Sequence, residues 1–510
     1  MNKSKVMLLA MLLCSAGAQA QFFMGLRGSH YGGITNVNFN PAIANSPFIV
    51  DVNLIGVAAT INNNYLGVDR KAILHPSLFS DVNFQRDYLH ERVNGKDKRA
   101  YFGAQVQGPL SFMFSFSDKK GKSKNKNAIG FSYHANAVFN ADNVTEVFAR
   151  TAYLGLGAQA EAATHYLNRE LHNGNLSMKG AMWNDFGITY SRVIYEKGEN
   201  LIKVGGTLKL LQPIAGFYGY VKNLNYKWTE YDQLSIYNTE AQYAYSDNLL
   251  TSSGNPKQNA KQNITDYAKN AVGFRAGKPS AAVDMGMIYE WYPEKNKSEE
   301  MDCHCETFAD KKHYKLAVGF SVIDLGALRF KRGEYSQNFY ADIREWNVRG
   351  AQFNDGLQSL DDTIRSRFAV KPSSNYFNIW LPSRFNIFVD YFIYKDFGIT
   401  ATAMISPNMS PNQRMIHHVT TFAITAKYEN KWIGVYVPLS YDLMGKISLG
   451  TTLRLGPLTI GTQDLLGLFA KKYVYNADIH ASLKVTIPNF KICKKSDFRF
   501  QKRNKGFSFS

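Results

Sequence analysis

Residues 129–139 read IGFSYHANAVF. Ile129, Phe131, Tyr133, Ala135, Ala137 and Phe139 share one face of an extended chain, and Gly130, Ser132, His134, Asn136 and Val138 share the other. Neighbouring side chains of a strand point to opposite sides, so alternation sustained this long identifies a β-strand with one apolar and one polar face. The same period recurs far away. In VDMGMIYEW (283–291) the set Val283, Met285, Met287, Tyr289, Trp291 opposes Asp284, Gly286, Ile288 and Glu290. FNIFVDYFI (385–393) sets Phe385, Ile387, Val389, Tyr391 and Ile393 against Asn386, Phe388, Asp390 and Phe392. KVGGTLKLL (203–211) and SLGTTLRL (448–455) put Lys203, Lys209 and Arg454 on their polar faces.

Period two alone does not tell a soluble sandwich from a membrane barrel. Length, ends and polar face do. The alternating segments match the roughly 9–11 residues that cross a bilayer at a tilt. Aromatic residues gather at their ends, as in IYEWYP (288–293) and YVYN (473–476), where a bilayer has its interfaces. The polar faces carry charge, glycine and small residues, which suit a wet or plugged lumen better than a packed core. The expected fold is therefore all-β: a transmembrane antiparallel barrel of about 14 strands, with a short N-terminal plug and a few helical loop insertions. The connections fit. A long link follows a first strand near 49–60, a short one lies at 118–127, a long one at about 140–182 carries helix-like sequence, and EKGEN (196–200) makes a tight turn. The alternation weakens around 293–312 and 331–380, where GLQSLDDTIRSRF (356–368) reads as a helix. The last strand is expected at VYNADIHASLKVTIP (474–488).

The division along the chain follows. Lys3 and Lys5, the apolar run Val6–Leu13 and Ala18-Gln19-Ala20 form a secretory signal, residues 1–20, cleaved after Ala20. Residues 21–48 are a plug, 49–490 the barrel, and 491–510 a basic periplasmic tail with seven basic residues and one acid. The formal charge of +18 becomes +16 once Lys3 and Lys5 are lost. In an exported protein this charge does not point to nucleic acid. It belongs to basic turns such as SDKKGKSKNKN (117–127) and the tail, or it meets anionic lipid and lipopolysaccharide headgroups. Cys303, Cys305 and Cys493 are too few for a disulfide framework, and Cys303-His304-Cys305 lacks the spacing of a zinc knuckle.

The stretch GSHYGGITNVNFNPAIANSPFIVDVNL (28–54) stands out because glycines, asparagines and two prolines give way abruptly to alternation. Glycine admits backbone angles that other residues resist, and Pro41 and Pro47 forbid regular pairing. An ordered plug holding Asn40-Pro41-Ala42 in the periplasmic mouth, ahead of the first strand, fits that composition. No nucleophile elbow, phosphate loop or zinc-protease motif appears, so no enzyme, metal or cofactor is expected. His417-His418 begins a strand and its side chains diverge, which suits a turn or rim pair. Lys203, Lys209, Asp284, Glu290, Asp390 and Arg454 are the lumen-facing candidates; they either pair with one another or select a solute.

HYGGITNVNFNPAIANSPFIVDVNLIGVAATINNNYLGV (30–68), FNADNVTEVFAR (139–150), WNDFGITYSRVIYEKG (183–198), KPSAAVDMGMIYEWYP (278–293), YKLAVGFSVIDLGALRFKRG (314–333) and LPSRFNIFVDYFIYKDFGITATAMISP (381–407) carry a family resemblance. Across nearly the whole mature chain the sequence resembles domain-of-unknown-function family 5723, a group of Bacteroidota outer-membrane proteins. More distantly, Asn40-Pro41-Ala42 resembles the step before strand one in long-chain fatty-acid transporters and in the barrel component of type IX secretion. That resemblance implies an outer-membrane barrel of 14 strands closed by an N-terminal hatch, here shortened. The function it implies is uptake or passage of a hydrophobic or small solute. The alternative is an envelope scaffold that partners a secretion or attachment complex.

Overall fold

Fourteen strands form a single closed wall in the computed structural model. It describes residues 23–488 except 76, 79–80, 82, 109–110, 117–125, 155–165, 231–232, 250–276, 294–313, 348–363, 372–373 and 408–413. The signal and tail segments, Cys303, Cys305 and Cys493 thus lie outside the described residues. In chain order the strands are β1 (Phe48–Asn63), β2 (Lys98–Gln107 continuing as Ser111–Phe116), β3 (Asn127–Val144), β4 (Leu176–Lys197) and β5 (Asn200–Lys222). They continue with β6 (Ser280–Trp291), β7 (Leu316–Lys331), β8 (Arg384–Tyr394), β9 (Phe397–Ile405) and β10 (Thr421–Glu429). The wall ends with β11 (Ile433–Asp442), β12 (Lys446–Leu449 continuing as Thr451–Leu455), β13 (Leu458–Thr462) and β14 (Asn476–Pro488).

Each strand pairs antiparallel with the next, and β14 pairs with β1, Val52 opposite Val485, which closes the ring. Closure leaves no unpaired edge inside the wall, which is what a lipid environment demands of a sheet. The alternation read from sequence now has two physical sides. Outward residues include Ile188, 63% exposed, and Leu208, 62% exposed, with Ile387, Val389, Ile424, Leu439, Leu453 and Val485 around the circumference. An apolar band of that extent is the surface of a barrel standing in hydrocarbon. No helix among the described residues is long and apolar enough to cross a membrane.

The two rims differ. At one, β4–β5, β8–β9, β10–β11 and β12–β13 are joined by tight turns at 198–199, 395–396, 430–432 and 456–457. At the other, long links join β1–β2, β3–β4, β5–β6, β7–β8 and β13–β14. Two connections depart from this rule: 292–315 is long at the short-turn rim, and 443–445 is short at the long-link rim. The sequence pattern weakened at 331–380 because the sheet there extends past the wall. Gln233–Tyr245 pairs with the end of β5 and also with Gln337–Asn347, while Tyr376–Trp380 pairs with the end of β7. The helix-like link at about 140–182 holds a helix at Glu146–Leu154, and its residues 155–165 lie outside the described ones. Of 356–368, residues 364–367 are helical and sit in the β7–β8 link, outside the wall.

Candidate functional site: the doubly closed lumen

Two segments that belong to no wall strand fill the lumen. The first is the N-terminal stretch 23–47, which enters from the short-turn rim. Its regular structure is two short 3-10 turns, Met24–Leu26 and Gly33–Asn36, yet Met24, Ile34, Val37, Ala42 and Ala44 are buried. Buried backbone must find partners, and here wall side chains supply them. Asp51 accepts from the Ile34 amide at 3.0 Å, and Lys484 donates to the carbonyls of Tyr31 and Gly32 at 2.7 and 3.0 Å. Ser321 and Asn386 donate to the Phe39 carbonyl at 2.5 and 2.8 Å. Ser191 accepts from the Ala44 amide at 2.9 Å, and Tyr314 donates to the Gly28 carbonyl at 3.0 Å.

Asn40-Pro41-Ala42 lies against the inner wall at β5, β6 and β7. The Asn40 amide donates to the carbonyls of Met287 and Phe320. Two wall glycines make that approach feasible: a Cβ on Gly205 would stand 2.1 Å from the Pro41 carbonyl oxygen, and one on Gly286 would stand 2.2 Å from Asn40 Oδ1. The three residues therefore sit within the short-turn half of the lumen, several residues up the strands from the mouth where the sequence suggested them.

The second segment is 414–420, at the end of the β9–β10 link, which turns inward from the long-link rim. Met415, Ile416, His417, His418 and Val419 are all buried. Ile416 and Val419 join an apolar cluster with Trp183, Leu211, Leu328, Phe330, Phe377 and Ile379. The Asn140 side-chain amide donates to the His417 carbonyl and accepts from the His417 amide, both at 2.9 Å, and His417 Nε2 stands 3.0 Å from Asp142, which Lys179 also engages. The two histidines engage different partners, but they lie ahead of the strand that begins at Thr421 and not at its start, and they are lumen residues and not a rim pair. The reason is the inward path of the link, which period two cannot reveal.

Each charged lumen candidate has a definite place. Lys203 pairs with Glu290 at 2.6 Å and Lys209 with Asp284 at 2.8 Å, both as diagonal neighbours across β5 and β6. Asp390 pairs with Lys427 of β10 at 2.7 Å. Arg454 donates to the carbonyls of Asn430 and Lys431, and its guanidinium covers the Tyr31 ring of the plug at 4.6 Å. Glu290 also accepts from Asn45 of the plug at 3.2 Å.

Sequence reasoning missed the residues that complete the centre, Asp324 and Arg384. A β-bulge between Val283 and Met285 on β6 and the facing part of β7 sets Asp324 at φ 63 and turns its carboxylate inward. Lys209 then reaches Asp324 at 2.6 Å, and Arg384 reaches it at 3.3 Å. Arg384 Nη1 lies 2.7 Å from His418 Nε2 and Nη2 donates to the Asn38 carbonyl at 2.8 Å. Guanidinium only donates, so His418 Nε2 accepts and Nδ1 carries the proton, donated to Tyr101 Oη at 2.7 Å. One buried arginine thus ties the wall to both closing segments. A cavity of about 10 Å³ beside it, bounded by Asn38, Asp185, Lys209, Asp324, Arg384 and His418, has room for about one water molecule. Among the described residues no cluster of His, Cys, Asp and Glu could hold a metal ion.

Comparison with solved structures returns β-barrel proteins. The chain is similar to the Ralstonia pickettii toluene transporter TbuX, with 8% identity over 90% of this chain and 94% of that one at a TM-score of 0.37. It is similar to a mutant of the TodX monoaromatic hydrocarbon channel, with 10% identity, 89% and 94% coverage and a TM-score of 0.39. A Pseudomonas aeruginosa FadL homologue gives 7% identity, 92% and 96% coverage and a TM-score of 0.20. At this level of likeness the architecture rests on the closed ring of strands itself. Comparison with curated proteins gives no match. A family model matches residues 41–463, from Pro41 of the plug to the end of β13, and the chain belongs to that family of unknown function, DUF5723.

Proposed function

We propose that the protein is an outer-membrane barrel that passes a small or hydrophobic solute when its N-terminal segment yields, and that it has no enzymatic role. The observation that carries this reading is the closure itself. The lumen is filled by two segments outside the wall, joined through Arg384, so access depends on rearranging chain that the barrel does not need for its own closure. Long links then face the exterior and tight turns the periplasm, the usual arrangement in such barrels.

The test is a lock. In a background with Cys303, Cys305 and Cys493 changed to serine, Ala44→Cys and Ser191→Cys place a disulfide between plug and wall. Purified protein in liposomes should admit one class in a panel of apolar, sugar and peptide probes when reduced, and none when oxidised. Equal passage in both states removes the plug from the gate. No passage of any probe in either state rejects transport.

The sheet extension at the long-link rim supports a second reading, an envelope scaffold. Glu170–Asn173, Leu224–Glu230, Gln233–Tyr245, Gln337–Asn347 and Ala369–Lys371 pair beyond the wall and raise a structured surface there. Crosslinking in native membranes should then recover a stoichiometric partner, and isolation as a lone monomer sinks that reading.

A further inference from the structure

Followed backwards, the first described residues of the plug climb the inner wall toward a carboxylate that no described residue fully satisfies. Ser29 donates to Glu429, at the short-turn end of β10, at 2.5 Å. Gly25 lies against Thr452 and Tyr436, where a Cβ would stand 2.6 Å from Thr452 Oγ1. Phe23 packs edge-on against His480 with ring centres 5.0 Å apart, and it joins Leu26, Ala58 and Tyr436 in an apolar cluster. Its backbone is left-handed (φ 49), a conformation that bulky residues avoid and that this packing sustains.

Two residues beyond His480 along β14, on the same inner face, lies Asp478. It is 8% exposed; Oδ1 accepts from the Gln463 amide at 2.7 Å, while Oδ2 is buried and has no hydrogen-bond partner among the described residues. His480 Nδ1 stands 3.9 Å from Asp478 Oδ1 and is equally without a partner there. His480 Nε2 and Thr452 Oγ1 are 2.9 Å apart, and with the ring proton on Nε2 the free Nδ1 is an acceptor. The Arg27 guanidinium of the plug acts on this carboxylate through its charge. A buried carboxylate oxygen without a donor is costly. Two neighbouring acceptors suit a compact cation with several donors, and the chain makes one when its leader is removed. Cleavage after Ala20 leaves Gln21 first, two residues ahead of Phe23. Two residues span at most about 7 Å, about the rise from His480 to Asp478 on the strand.

We infer that the α-ammonium of Gln21, freed by leader cleavage, pairs with Asp478 Oδ2 and donates to His480 Nδ1, so that the plug is complete only in the processed chain. An unprocessed chain carries a neutral peptide N–H at that position. The pairing rests on cleavage after Ala20 and is independent of what the barrel passes.

The amine itself reads the test. Mass spectrometry of the intact protein from native membranes identifies the first residue. It also shows whether Gln21 keeps a free amine or has closed on its own side-chain amide with loss of ammonia, a reaction that needs the unprotonated amine as nucleophile. The wild type should begin with uncyclised Gln21. Its amine should react with an acylating reagent at neutral pH at least tenfold more slowly than in Asp478→Asn, by peptide mapping, while Asp87→Asn on an exposed link leaves the rate unchanged. Lys484, whose ammonium holds Tyr31 and Gly32, should stay unlabelled throughout. Two alanines inserted between Gln21 and Phe22 should raise the rate as Asp478→Asn does, and stand in if that variant does not fold, as judged by heat-dependent gel mobility. Cyclised Gln21 in the wild type, or labelling as fast as in Asp478→Asn, gives the two acceptors to water and overturns the pairing. Labelling of Lys484 alongside the amine overturns it too, since the plug as a whole has then come free. A first residue other than Gln21 overturns the cleavage, and the pairing with it.

Discussion

The two segments that close the lumen combine backbone bonds and apolar packing in different balance. The N-terminal stretch is tethered through its backbone: carbonyls and amides of residues 28–44 bond side chains of β1, β4, β7, β8 and β14, and of Tyr314 just before β7. The inward link 414–420 is anchored by Ile416 and Val419 in the apolar cluster and by both histidine side chains, with backbone bonds to Asn140 and Trp380 besides. A net hydrogen bond is worth about 1 kcal/mol because water can replace it, whereas a buried isoleucine is worth more and water offers no substitute. The plug adds apolar anchors of its own, with Tyr31, Ile34, Val37 and Ile43 clustered against Phe48, Met113 and Ala128, so the two segments differ in the balance of these contributions.

Arg384 serves both segments, so its loss has the largest expected effect. Arg384→Met strands the Asp324 carboxylate with Lys209 as its remaining cation and removes the donor to Asn38. Stability should drop by about 3–5 kcal/mol, as for a broken buried ion pair, in denaturant unfolding followed by gel mobility, and planar bilayers should show new conductance. Unchanged conductance and stability would break the idea of a shared latch. Ile416→Ala tests the link alone and should cost about 2–5 kcal/mol, with the plug still protected from proteolysis at the short-turn rim. Asn386→Ala tests the plug alone. Removing one of two donors to the Phe39 carbonyl should cost about 1 kcal/mol and raise the frequency of brief channel openings without moving the unfolding midpoint much. Should Asn386→Ala prove costlier than Ile416→Ala, the contrast between the two segments is wrong.

The smallest effect should come from outside the lumen, at Glu146 on the helix of the β3–β4 link. Burial pushes that carboxyl up, but the Lys98 ammonium at 2.8 Å and the amides of Asn94 and Gly95 outweigh it and hold the group below the usual carboxylate range. A lowered folded value means that the contribution is complete above the ordinary glutamate value of about 4.3 and is lost as pH falls through the lowered one. Glu146→Gln should change stability by a few tenths of a kcal/mol at neutral pH and flatten the acid limb below about pH 4. Bilayer conductance should not respond.

Much of this was legible in the residues. Alternation placed Lys203, Lys209, Asp284, Glu290 and Asp390 on inward faces, because in a barrel period two converts directly into inside and outside. Their partners were not legible, since pairing depends on register between strands far apart in sequence, as with Asp390 and Lys427. Arg384 was within reach: it continues the inward phase of Asn386 and Asp390 one step before Phe385, where the alternating run seemed to begin. Asp324 left a fainter trace. In VGFSVIDLGALRF the inward set passes from Gly319, Ser321 and Ile323 to Leu328 and Phe330, a slip of phase that a bulge explains. The path of 414–420 left none, because an inward-turning link and an outward one have the same composition.

The spread of the plug's partners also constrains the order of assembly. Asp51 lies on the first strand and Lys484 on the last, and the two meet at 3.3 Å only after β14 has paired with β1. Until then the receptacle for Tyr31, Gly32 and Ile34 has one side missing. The segment synthesised ahead of every strand is consequently one whose set of contacts is complete only once the final strand is in place.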